Sequence, residues 1–348
     1  VTGVQTCALP ILVCDYGEGA DTVLEDLVVQ RGWASGGGGG MEILFASPTL
    51  RRCLFQSNRA SSFAGALSAE YSDSHLIDCR FSSNSALNTG AIYWWVGSAT
   101  LETCVFESNT GGYGAGIYID ESDMTLDGCE FTGNVAGYET SGGAGGAAYL
   151  CCDATPTFRD CLFSGNQALQ DEGEGGAVYC DESAPTFERC TFTGNNAGGE
   201  GGGAIHNDKG STTLIDCELS QNTAENGGGG LHNENDSTTT GSGLRLCGNT
   251  PVNIFVDSTS SQEAVVSCDS TLADCGDCYD ADKDGVPDSS DVCPGGNDLV
   301  DSDGDQVPDD CDDCPGDPLK TEPGDCGCGV VDTSVHGDLD CDGDYDED

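Results

Sequence analysis

Leu50-Arg51-Arg52-Cys53-Leu54-Phe55-Gln56-Ser57-Asn58 is the stretch whose reading decides the fold. Its frame is Leu-x-x-Cys-x-Phe-x-x-Asn. The frame returns at Leu76/Cys79/Phe81/Asn84, Leu101/Cys104/Phe106/Asn109 and Leu126/Cys129/Phe131/Asn134. Phe158/Cys161/Phe163/Asn166, Phe187/Cys190/Phe192/Asn195 and Leu214/Cys217/Leu219/Asn222 complete the series. A second phrase, a small pair and then an apolar residue, answers each one: Gly65-Ala66-Leu67, Gly90-Ala91-Ile92, Ala115-Gly116-Ile117, and so on to Gly229-Gly230-Leu231. Self-similarity at a fixed period of this length is the signature of a solenoid.

Working outward, Leu24, Leu27 and Val29 fill the Leu, Cys and Phe positions one period earlier, with Gly32 in place of Asn. Residues 12–22 read as the tail of a still earlier coil. The last coil is degenerate: Leu244, Leu246 and Asn249, then Val252 to Val256. Successive starts from Leu24 to Leu214 lie 26, 26, 25, 25, 32, 29 and 27 residues apart. The two long coils gain their residues between the Asn and the small pair, at 136–145 and 168–175. Insertions that respect both phrases are surface loops on one side of a solenoid. Val1 to Ile11 resembles translated sequencing adapter and is set aside from fold reasoning.

Each coil has two short apolar runs and no helical period. Cys and Phe, two apart, share one face of a strand. Leu lies three before Cys, so a bend between them is needed for both to point inward. The Asn stands where the chain must turn; it tolerates left-handed backbone angles, and stacked on the next Asn it can form an amide ladder. Glycines in the second phrase allow sharp bends and close backbone approach. Thr49, Thr100, Thr125, Thr157 and Thr186 would form an outward β-branched stack. The expected fold is all-β: a right-handed parallel β-helix solenoid of about 8–9 coils over 12–256, roughly 40 Å long at about 4.8 Å per coil. Residues 257–274 would follow as cap or linker. A leucine-rich repeat shares the Leu-x-x-Leu-x-Leu-x-x-Asn frame, but its second apolar segment has no counterpart in these glycine-rich phrases.

The paired phrases resemble the repeats of chlamydial polymorphic outer-membrane proteins and related bacterial right-handed β-helices, over about 23–256. The resemblance implies a surface or adhesive role and carries no autotransporter barrel.

The chain has 348 residues, with 61 Asp plus Glu against 11 Lys plus Arg and a formal charge of −50. Nucleic acid and anionic membrane both need clustered positive charge, so neither is an expected partner, nor is direct membrane insertion. The 52 glycines and 22 cysteines fit an extracellular or cell-surface, cation-binding protein. The repeated cysteines are read as small buried apolar groups, because Leu27 and Leu244 occupy the same slot.

Past Cys275 the composition changes. Asp280, Asp282, Asp284, Asp288 and Asp291, with Val286 between them, are followed 21 residues later by Asp301, Asp303, Asp305, Val307, Asp309 and Asp312. Carboxylates at loop positions 1, 3, 5 and 12, with a backbone carbonyl at 7 (Val286, Val307), match Ca²⁺ ligand spacing. Calcium is the expected cofactor of 275–329. This tail resembles thrombospondin type 3 repeats over 280–315. Gln306 replaces Gly285, so the second loop is expected to bind less well. Calcium and disulfides should supply most of the order here; Cys293 to Cys311 is one expected bridge, although spacing does not fix connectivity. Asp338, Asp340, Asp342 and Asp344 open a third loop, similar to EF-hand or dockerin loops, within 330–348. Its twelfth position would be residue 349, so the chain reads as a fragment of a longer protein.

Other chemistry is sparse. The solenoid cations Arg31, Arg51, Arg52, Arg59, Arg80, Arg159, Arg189, Lys209 and Arg245 form no clean ladder. His206 and His232 share the slot of Tyr93, Tyr118, Tyr149 and Tyr179; they read as replacements in that stack, with a metal or catalytic pair as the sharper alternative. Trp94 and Trp95 are the candidate glycan contacts, one of them outward. Cys180 is expected to bridge to Cys151 or Cys152 on the neighbouring rung. The expected function is non-enzymatic: a secreted or surface adhesin-like rod on a calcium-stabilised stalk, binding a surface glycan or protein through 136–145, 168–175 and the adjacent side. A polysaccharide-active lyase or hydrolase is the alternative. It would show at least two converging carboxylates, or a carboxylate–cation pair, in a groove.

Overall fold

The computed structural model describes residues 9–137, 143–169, 173–199, 201–256 and 264–268, and in the acidic tail 292–293, 296, 300–305, 307–321, 323 and 328–329. The chain divides into two compact units, Val1–Cys275 and Gly276–Asp348.

In the first unit each coil contributes three main strands, and most add a two-residue strand after the Asn, as in Arg59–Ala60 and Thr110–Gly111. One carries the Leu of the phrase, as in Thr49–Arg51 and His75–Ile77. The next carries the Phe, as in Leu54–Gln56 and Arg80–Ser82. The third follows the small pair, as in Leu67–Glu70, Ile92–Gly97 and Ile117–Ser122. Each pairs in parallel with its equivalent one coil on. Leu50 faces Leu76, Phe55 faces Phe81, and Leu67 faces Ile92. The result is a right-handed parallel β-helix of about nine turns, with no helix among the described residues. Residues 12–15 join the third sheet, Leu12 pairing with Met41.

The odd offset between Leu and Cys is absorbed by one left-handed residue just before the Cys: Arg52 (φ 48°), Asp78 (51°) and Thr103 (50°). A second precedes the Asn: Ser57 (54°), Ser83 (54°), Ser108 (53°), then Gly133 (59°) and Gly165 (62°). The left-handed turn therefore falls one residue earlier than the sequence suggested. This frees the Asn to turn its amide inward. Its Nδ2 donates to the Oδ1 of the next Asn, at 3.1 Å for Asn58–Asn84 and 3.0 Å for Asn84–Asn109. The same ladder runs on through Asn134, Asn166, Asn195, Asn222 and Asn249.

The phenylalanines stack inside the coil. Centroids of Phe55, Phe81, Phe106 and Phe131 are spaced 5.0, 5.0 and 4.5 Å apart, and all four rings are buried. Burying each contributes about 1.5–3 kcal/mol, but only with a neighbouring coil present. The cysteines of the phrase are buried free thiols, as their slot implied. Each donates to a carbonyl of the preceding coil, as Cys79 Sγ does to Leu50 O at 3.6 Å. Gly65 is forced by backbone approach: a Cβ there would lie 2.5 Å from the Gly90 carbonyl oxygen.

At the C-terminal end the frame loosens. Gly241 stands opposite Leu214, and Leu244 leans toward the space a side chain at 241 would fill. Asn207 and Asn233 replace apolar residues on the inner face; Asn207 Nδ2 donates to Thr238 O at 2.9 Å.

In the second unit, Cys293–Cys311 and Cys314–Cys328 are disulfides, with Cα–Cα distances of 5.5 and 5.3 Å. The first of these pairs is the one expected.

Candidate functional site

The outward side chains of the third sheet carry most of the chemistry. Alternation along Ile117–Ser122 buries Ile117 and Ile119 and turns Tyr118 and Asp120 out. In-register pairing makes two columns. The first is Tyr93, Tyr118, Tyr149, Tyr179, His206, His232 and Phe255. The second, two residues on, is Trp95, Asp120, Cys151, Asp181, Asp208 and Glu234. The columns are linked. Tyr93 Oη donates to Asp120 Oδ2 at 3.0 Å, Tyr149 to Asp181 at 2.9 Å and Tyr179 to Asp208 at 3.4 Å. Burial, and then nearby carboxylates (Asp120 at Tyr93 and Tyr118, Asp181 at Tyr149, Glu174 at Tyr179), push all four tyrosine hydroxyls well above their ordinary range. Burial likewise raises Asp120, against the lowering effect of the Tyr93 bond.

Toward the N-terminal coils this face opens. Phe63, Asn88, Tyr93, Tyr113, Tyr118 and Asp120 line a cleft of about 330 Å³. Beside it an outer aromatic stack runs Tyr16–Phe45–Tyr71–Trp95, with centroids 5.4, 4.7 and 5.0 Å apart. Tyr16, Phe45 and Tyr71 are strongly exposed. The sequence reading of the tryptophans is half corrected. Trp94 is fully buried, its Nε1 donating to Ser72 O at 3.1 Å, because alternation sends it to the core; it cannot touch a glycan in this fold. Trp95 points outward, as one of the pair had to.

A second correction concerns the cysteines. Cys180 pairs in register with Leu150, on the inner face, whereas Cys151 pairs with Asp181, on the outer face. Opposite faces forbid the bridge. Cys180 is instead a buried thiol pushed up to about 12 by desolvation, and Cys151 bonds to Cys152. That disulfide also leaves no thiolate for a cation beside Asp120.

Toward the C-terminal coils the same face closes over His206, which is fully buried. It stacks on Tyr179 at 4.9 Å and tilts against His232 at 4.8 Å, so the expected replacement in the aromatic column is what is seen. Sequence reasoning missed its companions. Glu174, from the second insertion, and Glu234, one coil on, bring carboxylate oxygens that lie with a His206 ring nitrogen within 4.8 Å of one another. Burial raises Glu174, with Glu234 and Asp208 adding to the shift and His206 opposing it. The described parts of the two insertions meet: Gly143 N donates to Leu169 O at 3.2 Å.

The exposed ion pairs are ladders between coils: Arg52 with Glu25 and Asp26, Arg80 with Glu107, Arg159 with Glu188, Arg189 with Asp160. Arg245 and Glu218, 3.1 Å apart, sit with Arg189 and Asp216 in a shallow hollow on the far strands. Such solvated pairs contribute up to about 1 kcal/mol each.

In the acidic unit, Asp301, Asp303 and Asp305 converge, each offering an oxygen within 4.8 Å of the others. Asp312 is buried; its Oδ1 accepts from Cys314 N at 2.7 Å, while its Oδ2 and that of Asp303 have no hydrogen-bond partner. Asp309 accepts from Ser302 N at 2.7 Å and so braces the loop. Val307 N donates to Asp305 Oδ1 at 2.8 Å. Orphaned carboxylate oxygens facing other carboxylates fit a hard cation. The first loop, Asp280 to Asp291, the third, Asp338 to Asp344, and Gln306 lie outside the described residues.

Residues 34–240 match the family described as the right-handed β-helix region, and the chain belongs to that family. No curated protein and no solved structure matches it. The family defines a stacked rod; it does not decide between binding and catalysis. Among the described residues no helix is long and apolar enough to cross a membrane.

Proposed function

We propose that this protein is a non-enzymatic, adhesin-like rod of the cell surface or extracellular space that binds glycans along the outer face of its third sheet. The observation that carries this reading is the aromatic face of the N-terminal coils: the Tyr16–Phe45–Tyr71–Trp95 stack beside the cleft of Phe63, Tyr93, Tyr113 and Tyr118. Exposed rings present apolar faces on which the C–H face of a sugar can stack, while Asn88 and Asp120 offer hydroxyl partners. The cleft holds one carboxylate, already bonded by Tyr93, and no acid–base pair. The Asp301–Asp312 loop supports Ca²⁺ as what orders the acidic stalk, held by Asp301, Asp303, Asp305 and Asp312. The secreted location rests on the acidic composition and the disulfides.

One observation favours the enzymatic alternative. Glu174 and Glu234 converge from the coils on either side of His206, beside Tyr179. They do so under cover rather than in the open cleft, which is why binding is preferred. A glycan array with the full chain, run with an assay for released reducing or unsaturated ends, tests both. The expected result is binding of a defined glycan set, lost in Trp95→Ala and Tyr71→Ala and kept in Arg189→Ala, without turnover. Binding indifferent to Trp95 and Tyr71 refutes the aromatic face, and release of ends establishes the enzyme.

A further inference from the structure

The covered site at His206 has an arrangement that packing alone does not explain. The imidazole is fully buried, and neither ring nitrogen has a hydrogen-bond partner. Nε2 faces Glu234 Oε1 at 3.4 Å. Glu174 reaches the same point from the insertion of the preceding coil, so the two carboxylates come from the coils on either side of His206. Gly201 roofs the Nδ1 side: a Cβ there would lie 2.6 Å from Nδ1 and 2.7 Å from the Glu174 Cα. Two half-buried carboxylates and one fully buried imidazole are thus held together. A protonated imidazole would leave the trio with a net negative charge beside Asp208; a dication brings it to neutrality.

We infer that Glu174, His206 and Glu234 form a binding site for a first-row divalent transition cation, of which Zn²⁺ is the best fit. Zinc takes imidazole nitrogen and carboxylate oxygen at about 2.0–2.2 Å in a tetrahedron, whose edges are then about 3.3 Å. The His206–Glu234 separation of 3.4 Å is such an edge. Ca²⁺ and Mg²⁺ take oxygen ligands, so the buried imidazole selects against them. Three protein ligands leave a fourth position for water or a ligand group. Glu174 lies at the end of the second insertion, so the cation would fasten that loop to the coil stack. The site goes beyond glycan binding and does not depend on it.

The test is calorimetric titration of the chelator-treated full chain with ZnCl₂ in excess Ca²⁺, which occupies the oxygen-only loops of the tail. One equivalent should bind, and Glu174→Gln and Glu234→Gln should each weaken it about tenfold or more. Far-UV circular dichroism of both variants checks the coil. Two readouts on the unmodified chain stand without variants. Zn²⁺ should shift the imidazole resonances of His206 and of His232, whose ring lies 4.8 Å away, leaving His75 unmoved. Co²⁺ in the site should show visible d–d bands without thiolate charge transfer. Absence of saturable binding, affinity unchanged in both glutamine variants, or a thiolate band placing the metal on cysteine would each overturn the inference.

Discussion

Replacing Asn134 by Ala tests whether the amide ladder, rather than the apolar stack alone, holds the coils in register. Asn134 is fully buried in mid-ladder. Its Oδ1 accepts from Asn109 N at 3.1 Å and from Asn109 Nδ2 at 2.9 Å. Its Nδ2 donates to Phe106 O at 2.9 Å and to Asn166 Oδ1 at 3.0 Å. Truncation strands the Asn109 backbone N–H, at about 1–3 kcal/mol for an unsatisfied buried donor. The Asn109 side-chain amide keeps its bond to Phe81 O, and Asn166 Oδ1 keeps its bond from Asn134 N. Each lost bond on those groups and on Phe106 O costs about 0.5–1.5 kcal/mol. The expected loss is about 3–5 kcal/mol, once partial relaxation is allowed for. Because a solenoid unfolds by neighbour terms, the readout is the urea midpoint by far-UV circular dichroism, with the slope checked for broken cooperativity. Thr132→Ala, exposed on the same coil, is the control and should change little. If Asn134→Ala costs no more than Thr132→Ala, the ladder is a consequence of the fold and not a cause of it.

Two further outcomes are expected. The four tyrosines of the outer column keep their protons where the unfolded chain releases them, above about pH 10. The native state then binds more protons, so stability falls as pH rises through that value, with no gain below it. Urea midpoints between about pH 8 and pH 11 should drop, and drop less steeply in Tyr149→Phe; a flat profile refutes the burial of these hydroxyls. In the acidic unit, chelation should speed proteolysis within 275–348 and leave 12–256 intact. Unchanged cleavage there would remove calcium from the account of the stalk.

The inward half of the molecule was legible because the repeat repeats it. Leu, Cys, Phe and Asn recur at fixed offsets, and each recurrence is one rung of a column that the structure places in the core. Two local features were not legible. The left-handed residue sits before the Asn, where Ser, Gly and Gln alternate without a common type. Cys180 differs from Cys151 and Cys152 only by which face of the strand it takes, and register alone decides that. Trp94 and Trp95 were ambiguous for the same reason. The outer columns left a signal that could have been read: Tyr118-x-Asp120, Tyr179-x-Asp181, His206-x-Asp208 and His232-x-Glu234 recur in the same slot. Glu174 left none, because it lies in an insertion, outside the period.

That difference explains why the candidate chemistry falls where it does. A column of acids at coil spacing would repel itself. Here each acid is served by the aromatic residue of the preceding coil: Tyr93 serves Asp120, Tyr149 serves Asp181 and Tyr179 serves Asp208. Tyr118 meets Cys151 instead, where the acid is missing. His206 facing Glu234 is the next step of the same series. By itself that pair would be one more rung. What departs from the series is the second carboxylate, and it arrives on the second of the two long strand connections rather than from a strand. The repeat can tolerate such an addition because residue 174 lies in a connection between strands and not in one of the stacked columns. Glutamine at position 174 should therefore leave the coils standing while changing what the site holds, whereas Asn134→Ala, one connection away, should do the reverse.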